Sequence, residues 1–202
     1  MTISSREPGH RQRQALATRR TVAAAARPLF AERGYNATSI EAISLAARVH
    51  SQTIYSAFGS KPAILEEVRL QWVAGARVSD LHAEAMALAD PGQRLRRAAH
   101  WTRRQFELGI DVIEVYLEAA RSDERVRGNW AAAMAGREAA IRALLEPMRR
   151  SFRRGLRLGH AIDLYVALTT PAIYRTLVLD RRWAPAAYER WLAEGLVRDL
   201  LG

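Results

Sequence analysis

The 202-residue chain contains no cysteine. That excludes a disulfide framework, a thiolate zinc site and a thiol nucleophile together. No uninterrupted apolar run reaches membrane-spanning length, and Met1–Arg20 is polar and Arg-rich without the apolar stretch of a secretory signal. A cytoplasmic protein with no membrane partner is expected. β-Branched residues nowhere alternate with polar ones for long enough to demand a strand. Lysine is nearly absent too: Lys61 is the only one among 31 basic residues. Paired carboxylates at a working spacing, a nucleophile with its base and a Gly-rich phosphate loop are all missing, and His82, His100 and His160 are too scattered for a metal site. The chain therefore reads as a non-enzyme without metal or cofactor.

What is present is helix-forming and basic. Residues are 49% hydrophobic and 26% charged, enough to bury a core, and the formal net charge is +10. Such a balance favours a polyanion partner, nucleic acid ahead of an anionic membrane surface. Joint Arg and Ala richness also fits the composition of a GC-rich genome.

The pattern predicts an all-α chain of about nine helices. Residues 1–13 form a flexible basic tail, 14–60 a first domain and 61–202 a second. The first helix spans about Gln14–Arg33, with Leu16, Ala23, Ala26, Phe30 and Ala31 at helical spacing; Pro28 bends it, Gly34 ends it and Tyr35 folds back. Thr38 and Glu41 form a capping box for a short helix that turns Ile40, Ile43, Ala46 and Ala47 inward. A turn at Arg48-Val49 leads into a second short helix, about His50–Ser56, anchored by Val49, Ile54 and Phe58. A helix from Lys61 to about Ala89 follows, then Asp90-Pro91-Gly92 breaks the chain. Further helices cover about Gln93–Leu108, a short piece capped by Asp111 and Glu114, a long one from Ser122 with a kink at Pro147, one from Asp163 to Arg182 interrupted by Pro171, and a last from Pro185.

Two short helices behind a longer one make a helix-turn-helix. The residues Ala25-Ala26, Leu29-Phe30, Gly34-Tyr35, Thr38-Ser39-Ile40, Ile43, Ala46-Ala47, Val49, Thr53-Ile54-Tyr55, Phe58, Ser60-Lys61 and Ile64-Leu65 stand in one register across Arg20–Val68. In this register the segment resembles the DNA-binding domain of the TetR family. The segment His50–Ser56 is short and polar, suited to a major groove rather than a core. Ser51, Gln52, Thr53, Tyr55 and Ser56 offer base or phosphate contacts, Gln52 by pairing with adenine. Thr38, Ser39, Arg48, His50 and Lys61 complete the candidate DNA-binding set, and the resemblance implies that Tyr55 and Lys61 hold the phosphate backbone. The family usually has glycine where Arg48 stands, because the turn often needs positive φ; Ser44, His50 and Ala57 also depart from its commoner residues. Arg6, Arg11, Arg13, Arg19 and Arg20 can reach an adjacent minor groove, although a solvated tail explains them as well.

The resemblance further implies a homodimer on a near-palindromic operator, with double-stranded DNA and a small-molecule effector as partners. The last two long helices would form the dimer interface, through Leu164, Leu168, Val178, Trp191, Leu192 and Leu196. The effector pocket would lie among the middle helices, with Trp101, Phe106, Tyr116, Trp130, Met134, Tyr165 and Tyr174 as lining candidates for an apolar or aromatic ligand; such residues also serve as ordinary core. Repression relieved by the effector is the implied behaviour. A helical dimer that binds a ligand or protein partner without DNA is the alternative.

Overall fold

The computed structural model describes residues 9–202, and among these the chain is helical with no β-strand. Residues 1–8, with Arg6 and most of the expected tail, lie outside the described part. Residues 10–13 are not tail: α1 is already helical from His10 and runs to Arg33. The helix continues through Pro28 to Arg33 before Gly34 ends it at φ +81°.

The chain packs as two compact units, one reaching Gln71 and adding Glu114–Arg127, the other formed by Trp72–Ile113 and Gly128–Gly202. A single cut between residues 60 and 61 does not describe this division. The first unit holds α1, α2 (Ile40–Ala47), α3 (Ser51–Phe58) and most of α4 (Lys61–Gly75). Its core is Val22, Ala26, Phe30, Tyr35, Ile43, Ile54, Ile64 and Leu65, all at most 1% exposed. These are the apolar positions at helical spacing, so one pattern both forms the helices and closes them on each other.

The second unit holds α5 (Val78–Met86), most of α6 (Pro91–Ala119) and α7 (Glu124–Leu145), then a 3-10 turn Glu146–Ser151, α8 (Leu158–Leu168), α9 (Pro171–Tyr174) running on as a π-helical turn Arg175–Asp180, and α10 (Pro185–Leu201). Leu95, Ile141, Leu144, Leu145, Tyr165, Tyr188, Leu192 and Leu196 form its core.

Several boundaries differ from expectation for local reasons. The Lys61–Ala89 helix is two helices, because Arg77 adopts a left-handed conformation (φ 53°) between α4 and α5. The expected break at Gly109 is a kink within α6, where Gly109 alone leaves helical geometry. Asp163 caps nothing: α8 starts at Leu158, with Gly159 inside it. The stretch Leu158–Asp180 is, by length and composition, able to cross a membrane, with mean hydropathy 1.2 over its most apolar window. Counting uninterrupted apolar residues misses this, because Asp163 and Thr169-Thr170-Pro171 interrupt the run without making it polar.

Candidate nucleic-acid interface

Helices α2 and α3 meet at a tight turn. Ser39, not Thr38, is the N-cap of α2: its Oγ accepts from the Ala42 amide at 3.1 Å. Arg48 ends α2 in the left-handed region (φ 54°, ψ 39°), as a glycine-favouring turn requires. The turn is closed by the Val49 amide donating to the Ser44 carbonyl (3.1 Å) and by Ser44 Oγ donating to the Val49 carbonyl (2.7 Å). Ser44 thus holds the turn.

α3 is anchored from beneath by buried Ile54 and Phe58. Arg19 of α1 adds a contact at its C-terminal end. The guanidinium donates to the Ala57 carbonyl at 2.7 Å, lies 4.4 Å over the Phe58 ring and pairs with Glu67 at 3.0 Å. A cation at a helix C-terminus complements the exposed carbonyls there. Arg19 is therefore not a residue of a groove-seeking arm. No local pattern foretells a partner 38 or 48 positions away.

With α3 seated this way, Gln52, Thr53, Tyr55 and Ser56 are exposed, Ser51 is half-buried, and Arg48 and His50 stand exposed at the entry to the helix. Ser39 is exposed on the neighbouring helix start. The structure thus brings most of the candidate DNA-binding set to the outer side of one helix-turn-helix. Leu45, 83% exposed on α2, belongs to the same motif and was not anticipated. Its position, two residues off the inward Ile43, already showed it.

Two candidates are placed otherwise. Thr38 is fully buried, and its hydroxyl donates to the carbonyls of Gly34 (2.8 Å) and Leu29 (3.1 Å). It ties the end of α1 to the start of α2 rather than facing solvent. Lys61 Nζ donates to the carbonyls of Tyr35 (2.9 Å) and Thr38 (3.1 Å) and lies 4.3 Å over the Tyr35 ring. Burial lowers its pKa, opposed by Asp123. Asp123 also accepts from the Tyr35 hydroxyl at 2.9 Å, which, with burial as the larger cause, raises the Tyr35 pKa. Lys61 is in this state a bracket for the α1–α2 connection, not a free phosphate ligand.

The effector candidates divide. Trp101, Phe106, Tyr165 and Tyr174 are buried in the second unit, while Trp130 is half-buried and Met134 is exposed. Tyr116 belongs to the first unit, where its hydroxyl donates to Glu66 at 2.7 Å. Surface hollows at Ala135–Glu146 and Arg153–Leu164 are lined by none of these residues. Among the interface candidates, Leu164, Leu168, Val178 and Trp191 are partly exposed. Leu192 and Leu196 are wholly buried within the protomer and cannot face a partner. Hydropathy marks both kinds alike; only packing separates them.

Residues 22–68 match the model of a family described as bacterial regulatory proteins, tetR family. No curated protein matches the chain. Solved structures match nearly end to end at low identity. The fatty acid degradation regulator FadR from Bacillus halodurans has 18% identity and a TM-score of 0.76, covering 95% of this chain and 97% of its own. FadR from Bacillus subtilis, solved with stearoyl-CoA, has 20% identity and a TM-score of 0.72, covering 89% and 98%. The TetR family transcriptional regulator PfmR from Thermus thermophilus has 23% identity and a TM-score of 0.62, covering 90% and 97%. At such identities the structures speak to the fold alone, and it is the helix-turn-helix of residues 22–68 that matches the tetR family of bacterial regulatory proteins.

Proposed function

We propose that this protein is a cytoplasmic, non-enzymatic transcriptional repressor that binds a near-palindromic operator as a homodimer and leaves it when a small effector occupies the second unit. The observation that carries the reading is α3 itself. Ile54 and Phe58 fix it to the core while Gln52, Thr53, Tyr55 and Ser56 stay exposed. Polar side chains so held can read base edges and phosphates in a major groove. Gln52 is the adenine reader, Tyr55 and Arg48 hold phosphate, and Thr38 and Lys61 support the motif from within.

Dimerisation is supported by the half-covered apolar surface of Leu158–Asp180, of which only 22% is buried in its most apolar window. Asp163, the Thr169-Pro171 break and Arg175 suit a partner helix in water better than lipid. Leu164, Leu168, Val178 and Trp191 are the contact residues. A dimer brings two copies of α3 to two half-sites. The effector acts by favouring a conformer in which the two α3 helices are spaced wrongly for DNA, and it shifts the equilibrium only by its difference in affinity for the two conformers. The stearoyl-CoA complex of the Bacillus subtilis relative supports a ligand-bearing second unit.

The test is titration against the DNA flanking the protein's own gene, at several salt concentrations, with unrelated competitor. A single tight site with two half-sites and a steep salt slope is expected. Binding no better than to competitor, unchanged by Tyr55→Ala, would leave the alternative of a helical dimer that serves a ligand or protein partner without DNA.

A further inference from the structure

Two arginines are drawn into the second unit and are treated differently. Arg94 of α6, 8% exposed, spends its whole guanidinium on carbonyls: Nε and Nη2 donate to Leu88 at 3.0 and 2.7 Å, and Nη1 to Leu144 at 3.4 Å. Such an arginine is a satisfied clasp. Arg137 of α7 engages Thr169 alone, and only through Nη2, donating to the carbonyl at 3.1 Å and to Oγ1 at 2.5 Å. Its Nε and Nη1 have no acceptor, and no carboxylate pairs with it, among the described residues. Burial lowers its pKa, against the favourable influence of Tyr165 and Tyr188.

The surroundings are also left open. Tyr188 of α10 is fully buried, yet its hydroxyl has no hydrogen-bond partner among the described residues. Tyr165 of α8 has only a long contact of 3.4 Å between its hydroxyl and Thr102 of α6. Arg137 acts electrostatically on both tyrosines. Four helices therefore send an unpaired cation and under-used hydroxyls to one place. Around it stand aromatic rings, Tyr174 at 5.0 Å and Trp191 at 5.9 Å from Tyr188, and Phe106 at 5.4 Å from Tyr174. The Tyr188 hydroxyl is a buried donor without an acceptor, which is costly, and the partly exposed Arg137 beside it keeps Nε and Nη1 free, so the pair is arranged for an acceptor brought from outside.

We propose that this cluster is the head-group site for a carboxylate ligand with an apolar body: Arg137 Nε and Nη1 take its oxygens, the Tyr188 hydroxyl donates the third hydrogen bond, and Phe106 and Tyr174 face the body. A planar guanidinium edge suits the two oxygens of a carboxylate, and the aromatic wall disfavours a small hydrated anion. Naming that ligand the effector rests on the regulatory reading above; the site itself does not.

The probes are octanoate, decanoate, benzoate and phenylacetate, each beside its neutral amide, added to the full-length protein during thermal unfolding. At least one acid is expected to raise the unfolding temperature by roughly 3 °C or more at about ten times its Kd, while its amide does not. Arg137→Gln and Tyr188→Phe should abolish and weaken the shift. Without ligand, Arg137→Met should unfold no earlier than the parent, since it removes an unanswered charge; a fall of many degrees would make Arg137 structural and overturn the site. If Arg137→Gln does not fold, Arg137→Lys with Tyr188→Phe carries the comparison. No shift with any acid at millimolar concentration, or equal shifts with the amides, also overturns it. DNA release is measured alongside. Acid stabilisation without DNA release sinks the effector role and keeps the site, whereas release by a neutral compound that still acts on Arg137→Gln sinks the site and keeps the regulatory reading.

Discussion

The indole of Trp72 fills the space in which a side chain at position 109 would stand. A Cβ on Gly109 would lie 2.0 Å from Trp72 Nε1 and 2.1 Å from Cε2. The same nitrogen donates to the Gln105 carbonyl at 3.0 Å, the acceptor that a regular helix would offer to the amide of residue 109. The kink in α6 and the absent side chain are thus one arrangement, in which the helix opens a place that the indole closes. Gly109→Ala should cost about 1–3 kcal/mol by overpacking, even though alanine is the better helix former. Chemical denaturation measures it, and a stabilised variant would contradict the packing.

Arg48 holds a left-handed conformation that costs a non-glycine residue about 1 kcal/mol. Arg48→Gly should raise stability by about 0.5–1 kcal/mol in urea. If the exposed guanidinium meets phosphate, the same variant should bind DNA more weakly, with a salt slope smaller by about one. Stabilisation with unchanged DNA binding would remove Arg48 from the interface.

Thr38 and Tyr55 should separate stability from binding. Thr38→Val keeps the shape but removes the hydroxyl that donates to the Gly34 and Leu29 carbonyls, at a cost of about 1–2 kcal/mol. Its salt slope on DNA should match the parent's. Tyr55→Phe, on an exposed ring, should change stability by less than about 0.5 kcal/mol and weaken DNA binding. The reverse outcome would exchange their roles.

Glu66 takes hydrogen bonds from Arg69 and from the Tyr116 hydroxyl. Burial pushes its pKa up, but the bonds from Arg69 and Tyr116 outweigh it, and the net shift is downward. Below the ordinary carboxylate pKa the unfolded chain takes the proton first. The contribution of Glu66 is therefore fully present above about pH 4.5 and lost as pH falls through the folded value. The stability gap between the parent and Glu66→Gln should be widest near neutrality and close in acid; a gap that grew toward low pH would reverse the assignment.

Leu168 and Leu192 carry the same side chain in different settings. Leu168 is partly exposed on α8, and Leu192 is wholly buried in the protomer. Leu168→Glu should shift the protein toward monomer in sedimentation while helicity is retained. Leu192→Ala should cost about 2–5 kcal/mol, without a dedicated effect on association. A Leu168→Glu protein that stayed fully dimeric would move the interface elsewhere.

The sequence by itself determined the helices and the motif. Apolar spacing selected most of the inward positions of α1, α2 and α3, but Ala46, expected inward, is exposed, as are Leu16 and Ala31 of the α1 stripe. Gly34 and the Arg48 turn marked where the chain changes direction, because positive φ is a local demand. Polarity at Gln52, Thr53 and Tyr55 was legible for the same reason: a short helix with two apolar anchors has an outer side. Contacts between distant positions were decided only in the tertiary structure. That Arg19 supports the end of α3, that Thr38 and Lys61 turn inward, and that Tyr116 bonds to Glu66 all depend on neighbours distant in the chain. Leu192 and Leu168 look alike as letters, and hydropathy assigns both to an interface. Burial is a property of the assembled packing, so only the fold could give Leu192 to the core and leave Leu168 partly exposed.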